Sequence, residues 1–362
     1  MADVIAWWRR WPAWSGCAAM AWSLGYGALG LFWWTGGIGF PFGIENDPAG
    51  QISILSGARA AETAPIIAVL GFLGALVALA MARGRGRGPL RPILIAFGLA
   101  AAVVLGLLIP DYRVLLFVAY TPIVLLGAPF GWPPGASLLD AVTWPLVNQL
   151  MGIGGGALWA AASVVYWRRG RGGCAFCGRS DDAATWTTPD RAARWGRWAT
   201  HAAVAVPLVY ALTRWAWALG FPLGITEELL REGQAIGLWV AGAALATLAV
   251  LGAILTLGLI QPWGEAFPRW LPVLRGRRVP PALAIVPASL VAVLVTSAGL
   301  MFWRMTLSGG FPLGDLGLLT LDSDWAAIAP ELLWPLWGAA LGAATLAYHF
   351  RRRARCPCCG RL

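Results

Sequence analysis

The six residues Cys174-Ala-Phe-Cys177-Gly-Arg179 recur later in the sequence as Cys356-Pro-Cys-Cys359-Gly-Arg361. Each copy follows an aromatic residue and a cluster of arginines, with Tyr166 and Tyr348 at the same distance before the first cysteine. The two copies therefore align without a gap at an offset of 182. An internal match of this kind predicts that the chain arose by tandem duplication.

Further pairs of residues repeat at nearly the same offset through both halves of the chain. The matched pairs are Trp11 and Trp195, Tyr26 and Tyr210, Asp140 and Asp322, Gly156 and Gly338, and the segments 40–43 and 221–224. The sequence thus predicts a first repeat over 1–179, a linker with an interfacial helix over 180–199, and a second repeat over 200–362.

Composition indicates an all-α integral membrane protein. Apolar residues make up 59% of the chain, charged residues 12%, and the mean hydropathy is +0.67. The 23 tryptophans fit this interpretation, because indole side chains favour the level of the lipid headgroups. The net charge of +10 comes entirely from arginine and lies in loops, so it does not indicate a nucleic-acid partner.

Eight apolar stretches are long enough to cross a bilayer. They cover 18–38, 64–82, 92–127, 143–167, 200–219, 235–260, 281–307 and 328–350. The third contains Pro110-Asp111 at its centre, and a division there would leave a second part too short to span. It is therefore predicted to be a single broken or kinked helix.

The distribution of arginine predicts the orientation. Twenty-two of the 27 arginines lie in 1–17, 83–91, 168–199, 261–280 and 351–362, which an eight-span arrangement places on one side of the membrane. Because positive loops stay in the cytoplasm, both termini are predicted to be cytoplasmic, in a bacterial-type cytoplasmic membrane. Four spans per repeat give both repeats the same orientation, so they are parallel repeats.

A Pro-apolar-Gly motif follows every odd-numbered span and indicates a shorter repeat of two spans within each half. It occurs at 41–43, 129–131, 222–224 and 312–314. The chain would then consist of four helical hairpins. The alternative interpretation is a shared helix stop, because proline ends a helix and glycine permits the reversal.

Each cysteine motif resembles the Cys-x-x-Cys knuckles of zinc ribbons and rubredoxins. The resemblance covers about six residues per copy, and one knuckle provides two of the four ligands of a tetrahedral zinc site. Cys174, Cys177, Cys356 and Cys359 are therefore predicted to bind one structural zinc ion. A redox-active dithiol and free thiols are the alternatives, and Cys358 is a spare thiol.

Four charges fall inside or beside the apolar stretches: Asp111, Arg113, Arg214 and Arg304. A charge inside a bilayer is costly and usually faces a cavity or a partner. The functional interpretation is an anion or lipid-headgroup site with Asp111 as an internal counter-ion. The alternative is that the arginines extend to the outer phosphates.

Three functions follow as hypotheses. The first is translocation or handling of a small anionic solute or lipid headgroup between the repeats. The second is a non-catalytic membrane scaffold that docks a cytoplasmic protein, and the third is a membrane dithiol redox protein. An enzyme is not indicated, because no nucleophilic triad or phosphate-binding loop is recognisable.

Overall fold

The computed structural model describes residues 10–86, 88–131, 138–180, 185–269, 275–312 and 317–361. These residues are mainly helical. In chain order the helices are α1 (Trp11–Trp34), α2 (Ala60–Ala82), α3 (Leu90–Val103), α4 (Tyr112–Gly127), α5 (Leu138–Ala141), α6 (Trp144–Gly170), α7 (Pro189–Ala218), α8 (Glu227–Ala235), α9 (Leu238–Leu257), α10 (Pro281–Leu307), α11 (Trp325–Leu332) and α12 (Trp334–Arg352). A short antiparallel pair joins β1 (Phe311–Pro312) to β2 (Leu318–Leu319).

Within the part of the chain that the structure describes, five helices are long and apolar enough to cross a membrane. They are α2, α3 with its extension to Leu108, α6, α9 and α10. The chain is thus a multi-pass helical membrane protein, in agreement with the class predicted from composition. Its apolar helices would contact lipid.

Each of the eight predicted apolar stretches is helical, but two are divided. The stretch 92–127 forms α3 and α4, with a π-helical turn at Val104–Leu108 between α3 and the break. Pro110 has no N–H for a helical bond, and the N–H of Asp111 instead donates to Oε1 of Gln149 at 3.1 Å. The expected break is present, but it separates two helices rather than bending one. The last stretch is likewise divided at Leu333, between α11 and α12.

The chain forms two compact units, each made of segments that are not contiguous in the sequence. Unit 1 contains 1–114, 139–183 and 354–362, and unit 2 contains 115–138 and 184–353. The short tail after Arg353 therefore belongs to the same unit as the first cysteine motif.

Unit 1 packs α1, α2, α3 and α6 around a core of large and small side chains. The central residues are Ala19, Ala78, Met81, Leu94, Trp159 and Tyr166. Glycines let the helices approach closely: a Cβ at Gly71 of α2 would lie 2.4 Å from the Cα of Gly27 in α1. Small residues allow this backbone contact between membrane helices.

Unit 2 packs α7 against α9 and α12, and α10 against α12. A cluster near the carboxyl end of α7 joins α7, α8, α9 and α11 through Trp217, Leu229, Trp239 and Ile328. The reversal after α7 uses Gly224 at a φ of +65°, and its counterpart after α1, Gly43, has a φ of +81°. Both positions need glycine because side chains disfavour positive φ. Gly131 also has a positive φ, whereas residues 313–314 of the fourth Pro-apolar-Gly motif lie outside the described residues.

Candidate functional site

The first cysteine motif forms a closed turn directly after α6. The N–H of Cys174 donates to the carbonyl of Arg179 at 2.9 Å, and the N–H of Gly178 donates to the carbonyl of Cys174 at 2.7 Å. Gly178 has a φ of +74°, which lets the chain reverse behind Cys177. The turn therefore places both thiols of the motif on one side.

The second motif repeats these contacts. The N–H of Cys356 donates to the carbonyl of Arg361 at 2.9 Å, and that of Gly360 donates to the carbonyl of Cys356 at 2.9 Å. Gly360 has a φ of +69°. The two knuckles thus have the same local fold.

A tyrosine in each final helix holds the chain before its knuckle. The hydroxyl of Tyr166 donates to the carbonyl of Arg85 at 2.6 Å, and that of Tyr348 donates to the carbonyl of Gly264 at 2.7 Å. Each tyrosine therefore fastens the end of its helix to the loop after the second long helix of its own unit.

The two knuckles face each other through a reciprocal pair of hydrogen bonds. Nη1 of Arg179 donates to the carbonyl of Arg361 at 2.8 Å, and Nη1 of Arg361 donates to the carbonyl of Arg179 at 3.1 Å. Arg179 also donates to the carbonyl of Ala354 at 3.2 Å. Reciprocal contacts between equivalent residues give this part of unit 1 a local pseudo-two-fold axis.

The four sulfur atoms meet at this axis. The Sγ atoms of Cys174 and Cys356 are 4.0 Å apart, and those of Cys177 and Cys359 are 3.6 Å apart. All four lie within 4.8 Å of one another. A tetrahedral zinc thiolate with bonds of about 2.3 Å has sulfur atoms about 3.8 Å apart, so the cluster has the size that a metal ion requires.

The thiols differ in their ease of ionisation. Burial raises the pKa of Cys177 to about 12, and the neighbouring thiols act in the same direction. Burial also opposes ionisation of Cys356, but the backbone N–H groups of Cys359 and Cys358 and the facing thiols lower its pKa to about 6. Cys356 therefore ionises more readily than Cys177.

An arginine supports the first knuckle from the end of α6. Nη1 of Arg168 donates to the carbonyls of Phe176 at 2.8 Å and Ala175 at 3.3 Å. Cys358 is exposed, and its thiol is not one of the four that converge. The four cysteines predicted as ligands thus lie together in unit 1, in a geometry that fits a metal ion.

The predicted intramembrane charges lie in two separate clusters. In unit 1, Arg113 binds Asp111 through Nε at 3.0 Å and through Nη2 at 2.6 Å. Its Nη1 and Nη2 also donate to Asp47 at 2.8 and 2.7 Å. Nε2 of Gln149 donates to Oδ2 of Asp111 at 2.9 Å. One guanidinium therefore neutralises part of the charge of two buried carboxylates.

In unit 2, Arg214 forms a buried ion pair with Glu331. The guanidinium also donates to the hydroxyl of Thr213 at 2.8 Å and to the carbonyl of Ala326 at 2.9 Å. It lies over the rings of Tyr210 and Trp217, at 4.4 and 4.5 Å from their centroids. Arg214 is thus enclosed within the protein, unlike an arginine that extends to lipid phosphates.

Arg304 lies near the end of α10 and is half-buried. Its carbonyl accepts the N–H of Ser308 at 3.0 Å. Of the four charges predicted to form one site, Asp111 and Arg113 are hydrogen-bonded to each other in unit 1. Arg214 and Arg304 belong to unit 2.

Sequence reasoning missed three partners of these charges: Asp47, Gln149 and Glu331. None of the three was predicted from the sequence as a partner of the arginines or of Asp111. The sequence did contain a signal for two of these partners. Gln149 and Glu331 are 182 residues apart, the same offset as the two cysteine motifs, so they are polar residues at matching positions of the two predicted repeats.

No protein-family model, no curated protein and no solved structure matches this chain.

Proposed function

We propose that this chain is a membrane scaffold with a structural zinc centre, in which Cys174, Cys177, Cys356 and Cys359 are the ligands. The observation that carries this proposal is the convergence of four thiols, all within 4.8 Å, from two motifs 182 residues apart. Four thiolates complete a closed tetrahedral site and leave no open position for substrate, which is typical of structural zinc.

The metal would fasten the tail at 354–362 to the turn at 174–179. Each knuckle offers two ligands, so neither holds zinc firmly alone. The tail continues directly from α12 of unit 2, and in the proposed eight-span arrangement both knuckles face the cytoplasm. The surrounding arginines would then form a basic surface that docks a cytoplasmic protein.

The buried arginines favour the scaffold over anion handling. Arg113 and Arg214 are already bound to carboxylates, so the charge that would attract an anion is used inside the protein. Breaking such pairs to bind a ligand would leave a buried carboxylate uncompensated. The anion hypothesis remains a proposal that no described contact favours.

A dithiol redox protein is the second candidate, because Cys177 and Cys359 also lie side by side at 3.6 Å. Metal content distinguishes the two functions. Protein purified under reducing conditions should contain about one zinc per chain, and the double variant C177S/C359S should lose it.

Cys358→Ser is the matched control, because it removes a neighbouring exposed thiol that is not part of the cluster. This variant should keep its zinc. A wild-type protein that carries no zinc and cycles reversibly between dithiol and disulfide would overturn the zinc proposal and favour the redox function.

A further inference from the structure

One face of α7 is exposed along its whole length and changes character at Trp198. Residues on this face follow one another at intervals of three or four, as neighbours on a helix surface do. From the amino end they are Arg191, Arg194, Trp198, His201, Ala205, Leu208, Leu212 and Trp215, all exposed. From the amino end, this face is thus basic, then aromatic at Trp198, polar at His201, apolar from Ala205 to Leu212, and aromatic again at Trp215.

The apolar part of this face has the length of a bilayer core. Trp198 and Trp215 are separated by about 26 Å along the helix axis, at 1.5 Å per residue. The hydrocarbon core of a bilayer is about 30 Å thick, and tryptophan favours its two boundaries. Trp198 is 80% exposed and Leu212 62% exposed, so the face is available to lipid.

The arginines lie where lipid phosphates would be found. Arg194 and Arg191 precede Trp198 in the sequence, and along the helix axis they lie about 6 and 10 Å from it, on the side away from the apolar part. Arg197, beside Trp198, is also exposed. The three guanidinium groups therefore extend into the headgroup layer next to one tryptophan.

These arginines are not used inside the protein. Among the described residues, no carboxylate is within ion-pair distance of Arg191, Arg194 or Arg197, and the nearest acid in sequence is Asp190 at the start of α7. By contrast, Arg351 and Arg352 of the same unit both pair with Glu265. Three exposed cations that lack an ion-pair partner among the described residues are available to an external anion.

The first helix of unit 1, with the arginine that precedes it, carries part of this pattern. Arg10 and, in α1, Trp14, Leu24 and Leu31 stand 184 residues before Arg194, Trp198, Leu208 and Trp215. Leu24 and Leu31 are each 43% exposed. An arginine, a tryptophan and apolar side chains thus recur at the offset of the predicted duplication, although Trp14 is half-buried and Leu31 replaces the second tryptophan.

We propose that the amino-terminal turns of α7 form a binding site for an anionic phospholipid. Arg191, Arg194 and Arg197 bind its phosphate, Trp198 lies at the level of its glycerol, and its acyl chains lie along Leu208 and Leu212. Guanidinium groups bind phosphate through paired, charge-assisted hydrogen bonds, and basic clusters beside a membrane helix attract anionic lipid. The site is independent of the zinc centre and of the scaffold function.

The test uses the full chain in nanodiscs of phosphatidylcholine with a minor fraction of phosphatidylglycerol. Native mass spectrometry of the released protein measures the ratio of the two lipids that stay bound. The wild type should retain phosphatidylglycerol preferentially, and R191Q/R194Q/R197Q should lower this preference by roughly tenfold or more.

The matched control is R275Q/R277Q/R278Q, which removes the same charge from exposed arginines of the same unit. It should keep the preference of the wild type. An equal loss in both triple variants would show that net charge alone attracts the lipid and would overturn the site. A wild type without preference would overturn it as well.

A third variant separates binding from folding. R191K/R194K/R197K keeps the positive charge and should retain most of the preference for phosphatidylglycerol. If the glutamine variant keeps the wild-type preference, with circular dichroism and elution volume that match the wild type, phosphate binding by these side chains is excluded.

Discussion

Gln149 and Glu331 occupy matching positions of the sequence, and each contacts the buried charge cluster of its own unit. Gln149 donates to Asp111, which binds Arg113, whereas Glu331 itself binds Arg214. The counterpart of Arg214 at offset 184 is Gly30, where even a Cβ would lie 2.6 Å from the backbone nitrogen of Ala68. Since no side chain fits there, unit 1 obtains its cation from another helix.

The ion pair of unit 2 predicts a large effect for removal of one partner. Glu331→Gln leaves the guanidinium of Arg214 buried without its carboxylate, and such changes cost about 3–5 kcal/mol. Thermal unfolding in detergent should show a marked loss of stability. The double variant R214M/E331L removes both charges and should be less destabilised than E331Q. Equal destabilisation of the two would contradict the ion pair as the cause.

Gln149 should be important although it is uncharged. It accepts the N–H of Asp111 and donates to its carboxylate, so Gln149→Leu leaves buried polar atoms without partners. The expected loss is about 1–3 kcal/mol. Gln51→Leu, at an exposed position, should change stability little. If both substitutions have the same effect, Gln149 does not hold the break between α3 and α4.

The glycines of the two knuckles should differ in their tolerance of alanine. Both have a positive φ, which costs an L-residue about 1–2 kcal/mol. At Gly178 the added Cβ would also lie 2.9 Å from Nε of Arg168, whereas nothing lies within 4 Å of it at Gly360. Gly178→Ala should therefore release zinc to a chelator faster than Gly360→Ala. The reverse order would contradict the described packing of Arg168.

The reciprocal arginines should slow the loss of metal. Arg179→Ala removes side-chain donors to the carbonyls of Arg361 and Ala354, so the two knuckles are held together less firmly. Zinc transfer to a colorimetric chelator should become several times faster, at unchanged stoichiometry. Arg83→Ala, an exposed position of the same unit, is the control. A rate unchanged by Arg179→Ala would show that the metal alone joins the knuckles.

The proposed orientation can be tested with a thiol reagent that does not cross membranes. Cys358 is exposed and lies on the predicted cytoplasmic side, so in a C17S background it should react only in inside-out vesicles. Arg59→Cys, in a protein that also carries C358S, should react only in right-side-out vesicles. Labelling of both positions from the same side would contradict the eight-span arrangement.

Much of the helical structure follows from the sequence because membrane helices depend on local properties. An apolar run of sufficient length has to form its backbone hydrogen bonds internally, so the runs predict the helices. The convergence of the cysteines was also predictable, since two half-sites at a constant offset need each other to complete a metal site. The number of spans and the duplication remain predictions.

The partners of the buried charges were not predictable in the same way. Arg113 meets Asp47, and Arg214 meets Glu331, through contacts between residues far apart in the chain. Their pairing depends on how helices pack, which periodicity does not reveal. Pro110 indicated a break in the sequence. The prediction of a single helix came from the length needed to span a membrane, because α4, with 16 residues, is shorter than that length.

The distance along the chain between the two knuckles has a consequence for biosynthesis. A ribosome makes Cys174 and Cys177 first, and it must then produce the six described helices α7 to α12 before Cys356 and Cys359 exist. During this interval the first pair is an open dithiol that cannot close a zinc site. The proposed metal site would therefore be completed only after both halves have been made, and a chain halted between the knuckles would carry two cysteines without their partner ligands.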